Sequence, residues 1–197
     1  MILLPVSLIL FWALVVYILI DCICKRTHAF LRRLVRYSFL IYLMAVAHVT
    51  IGSLHIPPDS LGYVRVQLIP FYFVKDFMTV QQMGNWFLLN ALKLSFYNVL
   101  LLMPLGFYLG FLFEVKRKAS AILLVFLTSL LIETVQWILS AAGVIWSRTF
   151  NVDDLLLNTI GGLIGYVVFK IVQKVSSRKK VRKISNNERI SGLNSSL

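Results

Sequence analysis

The chain has 197 residues, of which 59% are hydrophobic and 14% charged, and its formal net charge is +12. A soluble domain usually has about 45–50% apolar and about 25% charged residues, so a soluble fold could not bury this much apolar surface. The basic residues lie in short runs between apolar stretches and not on one soluble face, which argues against a nucleic-acid partner.

Five apolar stretches follow one another along the chain. They cover 2–20, 37–54, 96–113, 119–142 and 155–172. Each is long enough to cross a bilayer, so the sequence predicts an all-α, multi-pass transmembrane helix bundle of about five spans. The first stretch lacks a positively charged leader and a small-residue cleavage site, so we expect a retained helix and not a signal peptide.

A basic loop joins the first two spans, which together occupy 1–54. Its cations alternate with apolar residues over 25–36. This pattern fits either an ordinary cytoplasmic loop or a short amphipathic stretch lying on anionic lipid. Cys22 and Cys24 come just before it. One intervening residue would strain a disulfide, so we expect two free thiols, with S-acylation as the alternative.

The positions of lysine and arginine predict the orientation. Of the 20 basic residues, five follow the first span, three lie between the third and fourth spans, and eight lie from Lys170 onward. Cytoplasmic segments carry the excess of Lys and Arg in membrane proteins. Five spans with the N-terminus outside and the C-terminus in the cytoplasm place all three clusters on the cytoplasmic side. The basic tail, 173–197, is expected to be disordered.

The segment 55–95 joins the second and third spans and is rich in proline and aromatic residues. Trp and Tyr favour the depth of the lipid head groups, so we expect an extracytoplasmic lid lying on the membrane interface. His48 and His55 are one heptad apart and would share a helix face. We expect His48 to form a hydrogen bond between helices, with a metal pair as the alternative.

Two small-residue motifs lie in the three-helix core, 96–172. Gly106 and Gly110 form one GxxxG motif, and Gly161 and Gly165 form another. Such spacing lets helix backbones approach closely, so we expect the third and fifth spans to pack through these faces. The alternative is that one of the faces serves a homo-oligomer. Pro104 is expected to kink the third span.

Polar residues within the apolar spans are the best candidates for a site, because intramembrane ionisable groups are costly and mark function. With the predicted topology, they all fall in the outer half of the membrane. We therefore predict an outward-facing cavity with a ligand-binding set of Asn98, Glu133, Gln136, Arg148, Asp153, Asp154 and Asn158. Glu133 would pair with Arg148, stay protonated, or bind a ligand or cation.

Each of these residues also has a structural alternative. Asp153 or Asp154 would cap the fifth span, because a carboxylate accepts the free amides of a first helical turn. Asn98 and Gln136 would hold helices together by hydrogen bonds. Several of these polar residues are expected at the same level of the membrane. This favours a shared cavity over a separate structural role for each residue.

The ordered motifs of 67–169 resemble the VanZ-like family of bacterial membrane proteins. They are Leu68-Ile-Pro-Phe, the stretch from Asn98 to Phe107 with Pro104 and Gly106, Glu133-Thr-Val-Gln136, and Arg148 to Asp154 followed by Asn158, Gly161 and Gly165. The family usually has Asn where this chain has Gln67. The resemblance implies a multi-pass protein of the bacterial cell membrane, and the name-giving members are linked to resistance against teicoplanin-type lipoglycopeptides.

Three functions are compatible with these features. The first is a non-enzymatic protein that binds a membrane lipid, a lipid-linked cell-wall precursor or a lipoglycopeptide at the outer leaflet, with no cofactor. The second is a membrane enzyme acting on an envelope lipid or polyprenyl-phosphate, with Mg²⁺ on Glu133, Asp153 and Asp154. The third is a transporter, which the missing inward polar stripe argues against. Whether turnover occurs stays open.

Overall fold

The computed structural model describes residues 2–24, 30–58, 64–82 and 84–194, with side chains described for 11–21, 33–58, 64–79, 81–82 and 84–179. Within this part of the chain, the helices are α1 Val6–Cys24, α2 Phe30–Ile51, α3 Tyr72–Gln81, α4 Asn85–Phe111, α5 Lys118–Ala141 and α6 Val152–Asn194. The short strands are β1 Ile2–Pro5, β2 Ser53–Ile56, β3 Arg65–Gln67 and β4 Thr149–Asn151. The basic loop expected over 25–36 lies largely outside the described side chains.

The chain is a helical, multi-pass membrane protein. Four described stretches are long and apolar enough to cross a bilayer: Arg33–Ile51, Asn85–Phe111, Lys118–Ala141 and Val152–Lys179. A fifth apolar helical stretch, Phe11–Asp21 in α1, is shorter. The all-α bundle is thus confirmed, while the count of five spans and their orientation stay predictions.

Helix α4 begins at Asn85, earlier than the predicted start at residue 96. Gly84, with φ 121°, precedes the helix, and no proline follows until Pro104. The polar Asn85, Asn90 and Lys93 break the apolar run in the sequence but not the helix. At 1.5 Å per residue, α4 is about 40 Å long, so its first turns extend beyond the roughly 30 Å hydrocarbon layer. Helix α4 therefore begins within the segment 55–95, and the place of that segment at the membrane interface stays a prediction.

Helix α6 also extends beyond its predicted limits. It continues as helix to Asn194, so the described part of the segment 173–197 is helical instead of disordered. The physical reason lies in the local sequence, since neither proline nor glycine interrupts it between residues 166 and 191.

One end of the bundle is closed by short strands. β1 pairs antiparallel with β2, and β3 pairs parallel with β4. The backbone N–H of His55 donates to the carbonyl of Val144 at 2.8 Å, which joins the segment after α2 to the connector after α5. The connector between α4 and α5, which contains Lys116, lies at the opposite end. The strand end and the end that carries this basic connector are therefore opposite ends of the bundle.

The predicted shared helix face of His48 and His55 is wrong. Helix α2 ends at Ile51, and Gly52 follows in the left-handed conformation with φ 68°. His55 lies in β2, where it is 2% exposed and its ring contacts that of Trp146 edge to face at 4.8 Å. Among the described residues, no group of three or more His, Cys, Asp or Glu side chains is placed to hold a metal ion.

Helices α4 and α6 pack through their glycines, as predicted. A Cβ at Gly106 would lie 1.7 Å from the carbonyl oxygen of Gly162, and one at Gly165 would lie 1.8 Å from that of Met103. Gly110 is covered by the Phe169 ring. Both glycine faces are therefore occupied within one chain, which leaves neither free for the homo-oligomer considered above.

Side-chain hydrogen bonds attach α2 to this pair. The hydroxyl of Tyr42 donates to the carbonyl of Leu101 at 2.8 Å, and that of Tyr108 donates to Ser38 Oγ at 3.0 Å. Leu102, Leu105, Leu109 and Val125 form the buried centre between α4 and α5. These contacts hold α2, α4, α5 and α6 as the frame around the site.

Candidate functional site

A polar cavity of about 630 Å³ lies toward the strand end of the bundle. It is enclosed by α2, α3, α4, α5, β4 with the connector before it, and the start of α6. All seven residues selected from the sequence line it, namely Asn98, Glu133, Gln136, Arg148, Asp153, Asp154 and Asn158. The expected convergence is therefore present in the structure, while the role of these residues in binding stays a prediction.

Asp154 is the centre of a hydrogen-bonded group that links three segments. Its Oδ1 accepts from Asn98 Nδ2 of α4 at 2.6 Å and from Asn151 Nδ2 of β4 at 3.3 Å. These two hydrogen bonds tie the start of α6 to α4 and to β4. Asn98 is thus an interhelical contact, as its structural alternative predicts, and it also lines the cavity.

Asp153 forms its side-chain hydrogen bonds with the start of α3 and not with its own helix. Its Oδ1 accepts the backbone N–H of Phe71 at 2.6 Å, and its Oδ2 accepts that of Phe73 at 2.8 Å. The cap of α6 is instead Asn151, whose side-chain oxygen accepts the backbone N–H of Asp153 at 3.0 Å. The structural alternative in which Asp153 caps the fifth span is therefore wrong. Its carboxylate caps the first turn of α3, a wall of the cavity.

Glu133 and Gln136 extend from one face of α5 and serve different purposes. Gln136 Nε2 donates to the backbone carbonyl of Thr50 at 2.7 Å, which ties α5 to α2. Glu133 is 6% exposed, and within the described part of the chain its carboxylate accepts a single long hydrogen bond, of 3.4 Å, from the backbone N–H of Asn151 to Oε2. The Glu133 carboxylate is therefore weakly held and available to a bound molecule.

Arg148 contributes a positive charge without forming an ion pair. Its guanidinium lines the cavity, and no carboxylate of the described residues lies within the 4.0 Å of an ion pair from it. Its backbone N–H donates to Ser140 Oγ at 2.8 Å, which fixes the connector while leaving the side chain exposed. The predicted direct pairing of Arg148 with Glu133 is not present.

Asn158 provides an unused acceptor in the buried part of the cavity. It is 1% exposed, and its Nδ2 donates to Ser129 Oγ of α5 at 3.0 Å. Its Oδ1 is buried and has no hydrogen-bond partner among the residues that the structure describes. An unpaired buried acceptor costs free energy, so a donor on a bound molecule, or a water, would stabilise this position.

Several lining residues were missed by sequence reasoning. They include Thr50, Asp76, Ser95, Ser147 and Asn151. Asp76 lies on α3 between Phe73 and Phe77, which also line the cavity. The spacing of these three residues places them on one helix face, and this was the signal that could have identified Asp76.

Comparison with known families agrees with this architecture. A family model described as VanZ/LLP1 matches residues 39–173, more than two thirds of the chain. The matched region runs from the middle of α2 into α6 and includes every one of the seven predicted site residues. Neither a curated protein nor a solved structure matches the chain significantly.

Proposed function

Since this chain belongs to the VanZ/LLP1 family, we propose that it is a VanZ-type membrane protein that binds a lipid-linked or lipophilic molecule at the outer leaflet. One observation carries the proposal: the polar cavity is bordered by apolar side chains that face outward from the bundle. Leu94 and Tyr97 of α4 line the cavity and are 65% and 50% exposed. A polar head group inside and an acyl or prenyl chain along α4 would fit this arrangement.

The composition of the cavity favours a head group that donates hydrogen bonds. Four carboxylates line it, from Asp76, Glu133, Asp153 and Asp154, against the single guanidinium of Arg148. The free Asn158 oxygen adds another acceptor. Asp153 and Asp154 already accept hydrogen bonds within the protein. Amino or hydroxyl groups of a head group would therefore bind the weakly held Glu133 and the Asn158 oxygen, whereas a polyanionic head group would be repelled by the carboxylates.

We further propose that this member lowers sensitivity to teicoplanin-type lipoglycopeptides, because such molecules combine an acyl chain with a polar, hydrogen-bonding body. The test is expression in a susceptible Gram-positive host, with membrane insertion verified and growth inhibition measured. The expected result is higher tolerance of teicoplanin and unchanged tolerance of a glycopeptide without an acyl chain. Unchanged teicoplanin sensitivity with verified expression would refute the resistance proposal for this protein.

Isosteric variants connect that result to the cavity. The double substitution Asp76→Asn and Glu133→Gln keeps the side-chain shapes and removes two negative charges. We expect it to abolish the added tolerance. Glu188→Gln is the matched carboxylate control, since residue 188 lies about 45 Å beyond Asn158 along α6.

Arg148, which forms no ion pair with any described carboxylate, favours a second candidate, a membrane enzyme that acts on an envelope lipid or polyprenyl-phosphate. Arg148 would hold the phosphate, because a guanidinium binds phosphate oxygens in a forked geometry. The test is incubation of purified protein with phosphorylated lipids, followed by analysis of products. Turnover by wild type that is lost in Arg148→Gln would support the enzyme. Equal turnover in Glu133→Gln would exclude Glu133 from catalysis.

A further inference from the structure

A second cavity, of about 850 Å³, lies at the basic end of the bundle, opposite the polar cavity. Its walls come from the N-terminal part of α2, the C-terminal part of α4, the connector after α4 and the middle of α6. The volume falls within the range of about 300–1,000 Å³ that is usual for ligand pockets. This second cavity is called the basic-end groove below.

One wall of the groove consists of three aromatic rings that contact one another. The rings of Phe107 and Phe111 stack at 6.2 Å with an interplanar angle of 11°, and Phe169 meets both edge to face at 5.7 and 6.3 Å. Phe169 in turn lies on Gly110, where an added Cβ would come within 2.1 Å of the ring. These contacts fix an apolar surface that suits hydrocarbon chains.

The rim of the groove carries more positive than negative side chains. Lys116 and Lys170 line it together with one carboxylate, Glu114, and both lysines also line a cavity of about 350 Å³ with Lys118 and Lys174. Within the described residues, none of these four lysines forms an ion pair. The four ammonium groups around these two cavities therefore lack an ion-pair partner within the described part of the chain.

The two shared lysines are held in place by their surroundings. The hydroxyl of Tyr166 donates to the carbonyls of Val115 and Lys116 at 2.9 and 3.0 Å, which fastens the connector to α6. The ammonium of Lys170 lies 5.3 Å from the centre of the Tyr166 ring and 5.6 Å from that of Phe169. Cation–π contacts of this kind orient the lysine at the edge of the aromatic wall.

We infer that the basic-end groove binds an anionic phospholipid of the cytoplasmic leaflet, with its phosphate between Lys116 and Lys170 and a chain along the aromatic wall. Charge complementarity carries the inference, because the predicted orientation places this end on the leaflet that holds anionic lipid. Ser176, Ser177 and Gln173 also line the groove and supply hydrogen-bonding groups for a glycerol or phosphate head group. The site is independent of the polar cavity and of the function proposed for it.

The test uses the full-length protein in nanodiscs, with phosphatidylglycerol, cardiolipin or zwitterionic phosphatidylethanolamine as the probe lipid and native mass spectrometry as the readout. Wild type should retain the anionic lipids over the zwitterionic one. The double variant Lys116→Gln with Lys170→Gln should weaken that retention about 10- to 30-fold, because each lysine near anionic lipid contributes about a five-fold increase in affinity. The matched control, Lys75→Gln with Lys93→Gln, removes the same charge at the opposite end and should leave retention unchanged.

Three outcomes would overturn the inference. One is equal loss in both double variants, since general charge attraction would then explain the lipid. Another is equal retention of the zwitterionic and anionic lipids, because the lysines would then confer no selectivity. The third is displacement of the lipid by glycerol phosphate at comparable concentration, because the aromatic wall would then contribute nothing to binding. Lys116→Arg with Lys170→Arg should retain the lipid, and circular dichroism should show unchanged helix content in every variant.

Discussion

The carboxylate of Asp153 accepts the backbone N–H of Phe71 at 2.6 Å, across 82 positions of the chain. Together with the bond to Phe73, it anchors the first turn of α3 to the first turn of α6. Asp153 is 2% exposed, so this anchor lies inside the protein and not on its surface. The wall that α3 forms around the polar cavity therefore depends on one carboxylate of the frame.

Replacing Asp153 should make the first turn of α3 less stable. In Asp153→Ala, the amides of Phe71 and Phe73 lose their acceptors, at an expected cost of about 1–3 kcal/mol for a buried group left unsatisfied. Hydrogen exchange measured by mass spectrometry should become faster over 71–81 than over α4 or α5. Asp76→Asn, on the same helix and exposed, should leave that exchange unchanged. Unaltered protection in Asp153→Ala would show that α3 is held by other contacts.

The glycine contacts between α4 and α6 should tolerate no added carbon atom. A methyl group in Gly106→Ala would meet the backbone carbonyl of Gly162 at 1.7 Å, and a backbone group cannot rotate away. Overpacking usually costs about 1–3 kcal/mol, and we expect at least the upper end here because two helix axes must separate. Thermal unfolding in detergent, followed by size-exclusion chromatography, measures the loss.

The control for Gly106→Ala is Ala119→Val, which adds carbon atoms at an exposed position of α5. It should unfold at nearly the wild-type temperature. If Gly106→Ala unfolds at the same temperature as this control, the close approach of the two helices does not limit stability.

The sequence predicted the helical frame and identified seven of the residues that line the polar cavity, for a physical reason. Polar atoms inside a bilayer are rare and costly, so the few that occur carry most of the information about where a site lies. The glycine spacing predicted the α4–α6 contact for a similar reason, because only small residues allow such an approach.

The sequence did not predict which groups would pair inside the cavity. The partners of Asp153 are backbone amides in another segment. Almost every residue has a backbone N–H, so the pattern of side chains does not show which of them Asp153 will bind. Asp76 was hidden because α3 is only a short amphipathic helix in a segment rich in proline. The early start of α4 was missed because Asn85, Asn90 and Lys93 interrupt the apolar run without breaking the helix.

Asn98 and Asp154 should be energetically coupled. Their 2.6 Å bond joins a neutral donor to a carboxylate acceptor across two helices. A double-mutant cycle of Asn98→Ala and Asp154→Ala should give a coupling free energy of about 0.5–3 kcal/mol, as for residues that share a hydrogen bond. Unfolding of the four proteins under one condition gives the value. Additive effects within about 0.3 kcal/mol would mean that the bond makes no net contribution.

The two ends of the bundle should face opposite sides of the membrane. Arg148 lies at the polar cavity and Lys116 at the basic-end groove, and both side chains are exposed. In a background with Cys22→Ser and Cys24→Ser, single cysteines at 148 and 116 can be treated with a membrane-impermeant maleimide on intact cells. Because basic segments stay in the cytoplasm, we expect labelling of Arg148→Cys alone, and labelling of both after permeabilisation.

Labelling of Lys116→Cys alone on intact cells would reverse the orientation. The polar cavity would then open to the cytoplasm, and its ligand could not be an outer-leaflet molecule.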